Sequence, residues 1–163
     1  MALIFSAPGS YEAVLAGRKT VTRRALYPED ILCDIDEPPD RWGCLAALVT
    51  SPAQDLRLIF RNQRDHWWVG QKHAVKSSRT APGPYRIMIT SLRFERLKNI
   101  TEEDVARECV LDAAGEPITT REAYMDLYQR LSGAKTAKLW RPYLGLLIPA
   151  DYPVCRIEFE RAQ

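Results

Sequence analysis

A series of strand-like segments limits the fold of this chain more than any other feature of its sequence. Segments rich in alternating or β-branched apolar residues occur at 44–50, 56–60, 73–77 and 85–97. A further segment, VCRIEFE, alternates apolar and charged residues near the end of the chain. Strands in series with a few short helices, and without regular strand–helix alternation, predict an α+β fold on a mixed or antiparallel sheet that curls into a barrel.

Two short helices are predicted near the strands. Ser10 can cap the first helix, and Gly17 follows its last apolar residue, where a left-handed residue ends many helices. Thr101 can cap the second helix, whose first turn is acidic and so suits the positive end of the helix dipole. Glu108 falls along the edge of the apolar face of that helix, beside Val105.

A third helix is predicted over 119–133. Thr119 and Glu122 match a capping box, and Gly133 ends the pattern. Its spacing predicts a buried stripe formed by Tyr124, Leu127, Tyr128 and Leu131.

The length of 163 residues predicts a single domain over 1–163. Residues 28–41 hold three prolines and many acids, so we expect a Pro-rich acidic insertion at the surface there. The composition, 46% hydrophobic and 27% charged, is typical of a soluble globular protein. No apolar run is long enough to cross a membrane, and the N-terminal apolar stretch is too short for a signal peptide, which predicts a cytoplasmic location.

Metal-binding patterns are lacking in the sequence. The four cysteines are widely spaced without a Cys-x-x-Cys pair, and the two histidines, His66 and His73, fit no common chelating spacing. We therefore predict free thiols, no metal site and no cofactor.

Two stretches of the sequence are rich in basic residues. The first, LAGRKTVTRR at 15–24, holds four cations and no acid. The second holds seven cations against the single acid Glu95: Lys72, Lys76, Arg79, Arg86, Arg93, Arg96 and Lys98. Although a net charge of +2 is too small to indicate a nucleic-acid binder by itself, this polarity predicts one basic face for an anionic partner.

Three motifs, taken in order, resemble those of a known family. A helix ends in the pattern Gly-x-Lys-Thr-x-Thr-x-Arg, formed here by Gly17, Lys19, Thr20, Thr22 and Arg24. A later strand runs into an IT-EED helix with Glu108 near its end, and the last strand reads RIEFE. In this combination the sequence resembles the ASCH domain, a member of the PUA-like group of small β-barrels.

This resemblance implies a PUA-like mixed β-barrel with short flanking helices and a cleft that recognises RNA or nucleosides. Some small ASCH proteins are amidohydrolases that remove the acetyl group of N4-acetylcytidine with a lysine, a threonine and a glutamate. By similarity these positions fall on Lys19, Thr22 and Glu108. Further contacts to RNA or a modified nucleoside are expected from Arg18, Arg23, Arg24, Lys76, Arg79 and Trp68.

The chemistry of amide hydrolysis makes demands on these residues. Lys19 can activate the hydroxyl of Thr22 only if burial and the neighbouring cations lower its pKa. Glu108 can protonate the departing amine if an apolar setting raises its pKa. Because residues three apart point to opposite faces of a straight strand, Lys19 and Thr22 also need a turn or bulge between them.

Two other functions fit the same sequence. In a non-catalytic single-stranded RNA-binding module, the cations bind phosphates and Trp67 or Trp68 stacks on a base, while the other tryptophan lies in the core. In a ribonuclease, Lys19 stabilises a phosphate transition state, although neither histidine falls in the motif. The sequence leaves the oligomeric state open.

Overall fold

A computed structural model describes residues 2–34, 41–43, 53–62, 64–133, 135, 138–140, 142 and 153–162. The strand predicted at 44–50 lies outside the described residues, as do residues 35–40 of the predicted insertion.

The larger sheet contains six of the described strands. They are β1 (Ala2–Ile4), β2 (Val21–Ala25), β5 (Ala53–Leu56), β8 (Lys72–Lys76), β9 (Arg86–Arg96) and β10 (Pro153–Arg161). Their order is β1–β8–β9–β10–β2, and β5 pairs with the second half of β9. Because β1 and β8 are parallel and the other pairs are antiparallel, the sheet is mixed, as predicted.

The smaller sheet contains β3 (Ile31–Cys33), β4 (Arg41–Gly43), β6 (Leu58–Arg61) and β7 (Arg64–Trp68), in the order β4–β3–β6–β7. It corrects two predictions. Residues 31–33 form a strand with Leu32 fully buried, so this part of the expected surface insertion belongs to the folded structure. The single strand predicted at 56–60 is divided at Arg57, whose amide donates to the carbonyl of Cys33 as the chain passes from one sheet to the other.

Two short helices contact strands of the larger sheet. Helix α1 (Ser10–Leu15) corrects the first predicted cap, because Ser10 is its first helical residue and Gly9, at φ 71°, precedes it. Gly17, at φ 70°, adopts the expected left-handed conformation. In α2 (Glu102–Glu108) the hydroxyl of Thr101 accepts from the amide of Asp104, which confirms the second predicted cap.

Helix α3 (Arg121–Tyr128) differs from its prediction in its cap and in the form of its last turn. The hydroxyl of Thr120, and not that of Thr119, accepts from the amide of Ala123. After Tyr128 the chain continues as a π-helical turn, Gln129–Gly133. Because this wider turn changes the direction of the side chains, Leu131 is 55% exposed and does not extend the buried stripe.

Two hydrophobic clusters hold these elements together. The larger cluster lies between the sheets and α1 and includes Phe94, Trp140 and Ile157. The smaller one packs α2 and α3 against the end of the larger sheet around Val105 and Tyr124. Strand β10 contributes to both clusters, and its neighbour β2 carries part of the candidate site.

Candidate functional site

A cavity of about 160 Å³ lies where the start of β2 meets α2 and α3. Its polar lining includes Lys19, Thr22, Arg23, Arg24 and Glu108. We call it the Lys19 cavity. The basic 15–24 cluster and the end of the IT-EED helix, separated by about half of the chain, therefore meet at one site.

The turn predicted between Lys19 and Thr22 is supplied by the segment before β2. After Gly17, the amides of Arg18 and Lys19 both donate to the carbonyl of Ala13, at 2.9 and 3.1 Å. Lys19 thus lies ahead of the strand, which begins at Val21. As a result, Lys19 and Thr22 both border the cavity despite their spacing of three.

Lys19 and Glu108 form a buried ion pair at the end of α2. The Lys19 Nζ lies 2.6 Å from the Glu108 Oε2, and both side chains are at most 2% exposed. The same ammonium donates to the backbone carbonyl of Glu108. Since the last carbonyls of a helix lack intrahelical donors and carry partial negative charge, a cation is stabilised at this position.

Opposing effects act on the pKa of Lys19. Burial lowers the pKa most strongly, the charge of Glu108 raises it, and Arg24 lowers it further. The outcome is a pKa below the ordinary lysine value of 10.5. This direction is the one that a general base needs.

Arg23 forms ion pairs with three carboxylates. Its Nε lies 2.6 Å from Glu95, its Nη2 2.6 Å from Asp104, and its Nη1 3.3 Å from Glu108. Burial of this side chain opposes its charge, but the carboxylates outweigh burial and raise its pKa. Although Arg23 borders the cavity, its guanidinium is engaged with protein acids, and it orients Glu108.

Arg24 has a different environment. Its Nη2 donates to the carbonyl of Ile4 at 2.5 Å, and its guanidinium lies 5.5 Å from the ring centre of Phe5. Burial lowers its pKa, and its Nε has no hydrogen-bond partner within the described part of the chain. Arg24 therefore brings a positive charge to the cavity lining, together with a buried donor that no described group satisfies.

Two tyrosines of α3, Tyr124 and Tyr128, also border the cavity. Burial and then the charge of Glu108 raise the pKa of Tyr124 well above 10.0, and a hydrogen bond to Glu108 raises it further. Tyr124 thus stays protonated and can donate to that carboxylate. Sequence reasoning placed both tyrosines in a buried stripe but not in the site; the available signal was that a buried tyrosine hydroxyl needs a polar partner.

Four other predicted contact residues are not among the described residues that line this cavity. Arg18 and Arg79 are exposed, and Lys76 lies on β8 beside Ile4 of β1. Trp68 is 38% exposed on β7 of the smaller sheet, whereas Trp67 is 6% exposed, so the expected division between core and surface is confirmed.

The described ranges contain no group of three or more His, Cys, Asp or Glu side chains that could hold a metal ion. Within the same ranges, no helix has the length and apolar character needed to cross a membrane.

Neither a family model nor a curated protein sequence matches the chain. A solved structure does match: the crystal structure of an ASCH domain from Lactobacillus crispatus JV V101, with a TM-score of 0.57 and 14% identity over 98% of this chain and 77% of that one. This chain has the fold of an ASCH domain. Protein EF3133 from Enterococcus faecalis V583, of family model DUF984, aligns with a TM-score of 0.49 and 17% identity over 95% of this chain and 71% of that one.

The predicted α+β class with short flanking helices is thereby confirmed. In this ASCH fold the Lys19 cavity is built at the outer edge of β2, where α2 and α3 pack. Its polar groups come from separate elements, so their geometry depends on how those elements pack.

Proposed function

We propose that this chain binds an N4-acylated cytidine in the Lys19 cavity, as a nucleoside or within single-stranded RNA, and hydrolyses its amide. The observation that carries the proposal is the buried contact between Lys19 and Glu108 in a cavity that Thr22 also borders. The resemblance to ASCH amidohydrolases supplies the substrate class, because their lysine, threonine and glutamate fall on these positions.

The size of the cavity supports a small ring as the ligand. An engineered protein cavity of about 150 Å³ binds benzene, and the Lys19 cavity measures about 160 Å³. One base with a short acyl group therefore suits it better than a folded RNA. Tyr124 and Tyr128 offer flat apolar surfaces to such a ring.

The first chemical step uses Lys19 in its neutral form. Lys19 takes the proton of the Thr22 hydroxyl, and the Thr22 Oγ forms a bond to the acyl carbonyl carbon. The carbonyl electron pair moves onto its oxygen, giving an oxyanion. In this proposal the positive charge of Arg24, which borders the cavity, stabilises the oxyanion, since electrostatic stabilisation at this point is a large part of catalysis.

The second step breaks the bond between the acyl carbon and N4. The proton taken up by Lys19 passes to N4, cytidine leaves, and water then hydrolyses the acyl ester on Thr22. Because the Glu108 carboxylate accepts from both Lys19 and Arg23, we assign the donated proton to the Lys19–Glu108 pair as a unit. This assignment modifies the sequence-based expectation of Glu108 as a separate acid.

A second candidate is a non-catalytic module for single-stranded RNA. The observation that favours it is that Lys19 donates twice to Glu108, because a protonated lysine held in this way cannot act as a base. In that case Arg24 and the tyrosines would bind the ligand without turnover.

The release of cytidine from N4-acetylcytidine separates the two candidates. We expect wild-type protein to turn over, and Lys19→Met and Thr22→Ala to lose about a hundredfold or more, because each lacks a group that moves or accepts the proton. Thr22→Ser is the matched control: it keeps the hydroxyl and should retain most of the activity.

Two outcomes would contradict the hydrolase. One is the absence of turnover in the wild type while salt-sensitive binding of single-stranded RNA persists, which supports the module. The other is unchanged turnover in Thr22→Ala, which would remove Thr22 as the nucleophile.

A further inference from the structure

A second cavity, of about 320 Å³, opens on the other side of Lys19. It lies between the end of α1 and the edges of β8, β9 and β10, and Val75, Ile87 and Phe159 form its buried apolar floor. We call it the Tyr85 cavity, after the tyrosine in its lining. The proposed chemistry uses none of this space.

Lys19 lines both cavities. The ammonium of Lys19 is directed to Glu108 in the first cavity, while the residue also borders the second. The two cavities are therefore neighbours, separated by the segment that carries Lys19.

The lining of the Tyr85 cavity combines a ring with positive charge. Tyr85 is 37% exposed, and the guanidinium of Arg161 lies 5.3 Å from its ring centre. Arg86 is a second exposed cation, and Glu160 is the acid among the described lining residues. An apolar floor, an exposed aromatic ring and exposed arginines are the features that accept a base and its flanking phosphates without sequence preference.

We propose that the Tyr85 cavity binds the nucleotide next to the modified cytidine in single-stranded RNA. Its base enters the apolar space beside Tyr85, and Arg161 and Arg86 contact the adjoining phosphates. This inference rests on the proposed function and deepens it: the physiological substrate is an RNA strand and not the free nucleoside.

The test compares two substrates, free N4-acetylcytidine and a single-stranded pentanucleotide with N4-acetylcytidine at its centre. We expect Tyr85→Ala to lower kcat/KM for the pentanucleotide about fivefold or more, as loss of one stacked base would, and to leave the nucleoside unchanged. The slope of the logarithm of the pentanucleotide binding constant against the logarithm of the salt concentration should be shallower by about 0.7 in Arg161→Gln. This change corresponds to the loss of one phosphate contact on a single strand.

Trp68→Ala is the matched control, since Trp68 is exposed to the same extent as Tyr85 but lies on the smaller sheet. It should leave both substrates unchanged. Equal losses on both substrates in Tyr85→Ala, or no loss on either, would overturn the inference while the hydrolase function stands.

If the wild type hydrolyses neither substrate, the proposed hydrolase function fails, and binding of an unmodified pyrimidine pentanucleotide decides the inference alone. Weaker binding in Tyr85→Ala and Arg161→Gln, with Trp68→Ala unaffected, supports the Tyr85 cavity as an RNA subsite. Binding that none of the three variants weakens overturns it.

Discussion

At the scale of single residues, the proposed hydrolysis depends on how Lys19 is buried. Its ammonium is held by a carboxylate and by the last carbonyl of α2, yet burial lowers its pKa more than these contacts raise it. A lysine in this position loses its proton at a lower pH than an exposed lysine does.

This environment predicts the pH dependence of turnover. Because the proposed reaction needs neutral Lys19, the rate should rise with pH and reach its midpoint below the ordinary lysine pKa of 10.5. Single-turnover rates of N4-acetylcytidine hydrolysis across pH measure the midpoint. Thr22→Ser should react at a different rate with the same midpoint, since the titrating group is Lys19. A wild-type midpoint at or above 10.5 would be incompatible with a buried lysine base.

At the scale of secondary-structure elements, Arg23 joins β2 to β9 and α2. Its guanidinium contacts Glu95 and Glu108, both less than 10% exposed, together with Asp104. Asp104 is also held by Arg156 of β10 at 3.1 Å. Helix α2, and with it Glu108, is therefore fixed to the sheet by charged contacts as well as by apolar packing.

Removing this arginine should destabilise the fold. We expect Arg23→Met to lower the free energy of unfolding by about 3–5 kcal/mol, because buried carboxylates lose their counter-charge. Urea denaturation measures the change. Arg93→Met is the control on β9: its pair with Asp55 spans 3.6 Å between side chains that are 45% and 61% exposed, so its loss should change stability by about 1 kcal/mol or less. Similar effects of the two substitutions would show that the Arg23 contacts do not hold the elements together.

Strand β8 carries a fully buried histidine, His73. Neither ring nitrogen has a hydrogen-bond partner in the described ranges of the chain, and burial lowers the pKa of His73 to about 4. His66 on β7 is shifted in the same direction by burial and by Arg61.

The lowered pKa values of these two histidines predict a loss of stability in mild acid. Between the unfolded pKa of 6.5 and the folded pKa of about 4, the unfolded chain binds more protons, so the free energy of unfolding falls as pH falls through this window. His73→Leu should lose less stability than wild type between about pH 7 and pH 5, measured by urea denaturation at each pH. Equal pH dependence in the two proteins would exclude His73 as a source of the effect.

At the scale of the whole molecule, local patterns in the sequence predicted where helices and strands lie. They did not predict as well which elements contact each other. Period-two alternation located β9 and β10, and Gly17 marked the end of α1, because these signals act within a few residues. Strand β3 was missed, since it is short, lies beside prolines and acids, and is defined by pairing with β6 and β4.

In the site, too, short motifs could be found in the sequence, whereas contacts between distant residues could not. The ASCH-like motifs named Lys19, Thr22 and Glu108, which the structure brings to one cavity. Arg23 was expected to bind a ligand, and its engagement by Glu95 and Asp104 could not be read from the sequence because these acids lie 72 and 81 positions away. Tyr124 was missed as a partner of Glu108 because the two residues lie on separate helices, and the packing of those helices sets the contact.

The central claim is that one bound substrate lies against Lys19, Thr22 and Glu108 together. A crystal structure of Thr22→Ala with N4-acetylcytidine tests it most directly, because this variant should bind the substrate without cleaving it. We predict the acyl carbonyl next to position 22 and Lys19, with the base between Tyr124 and Arg24. A nucleoside bound elsewhere, an acyl group directed away from Lys19, or an empty Lys19 cavity at saturating ligand would contradict the account.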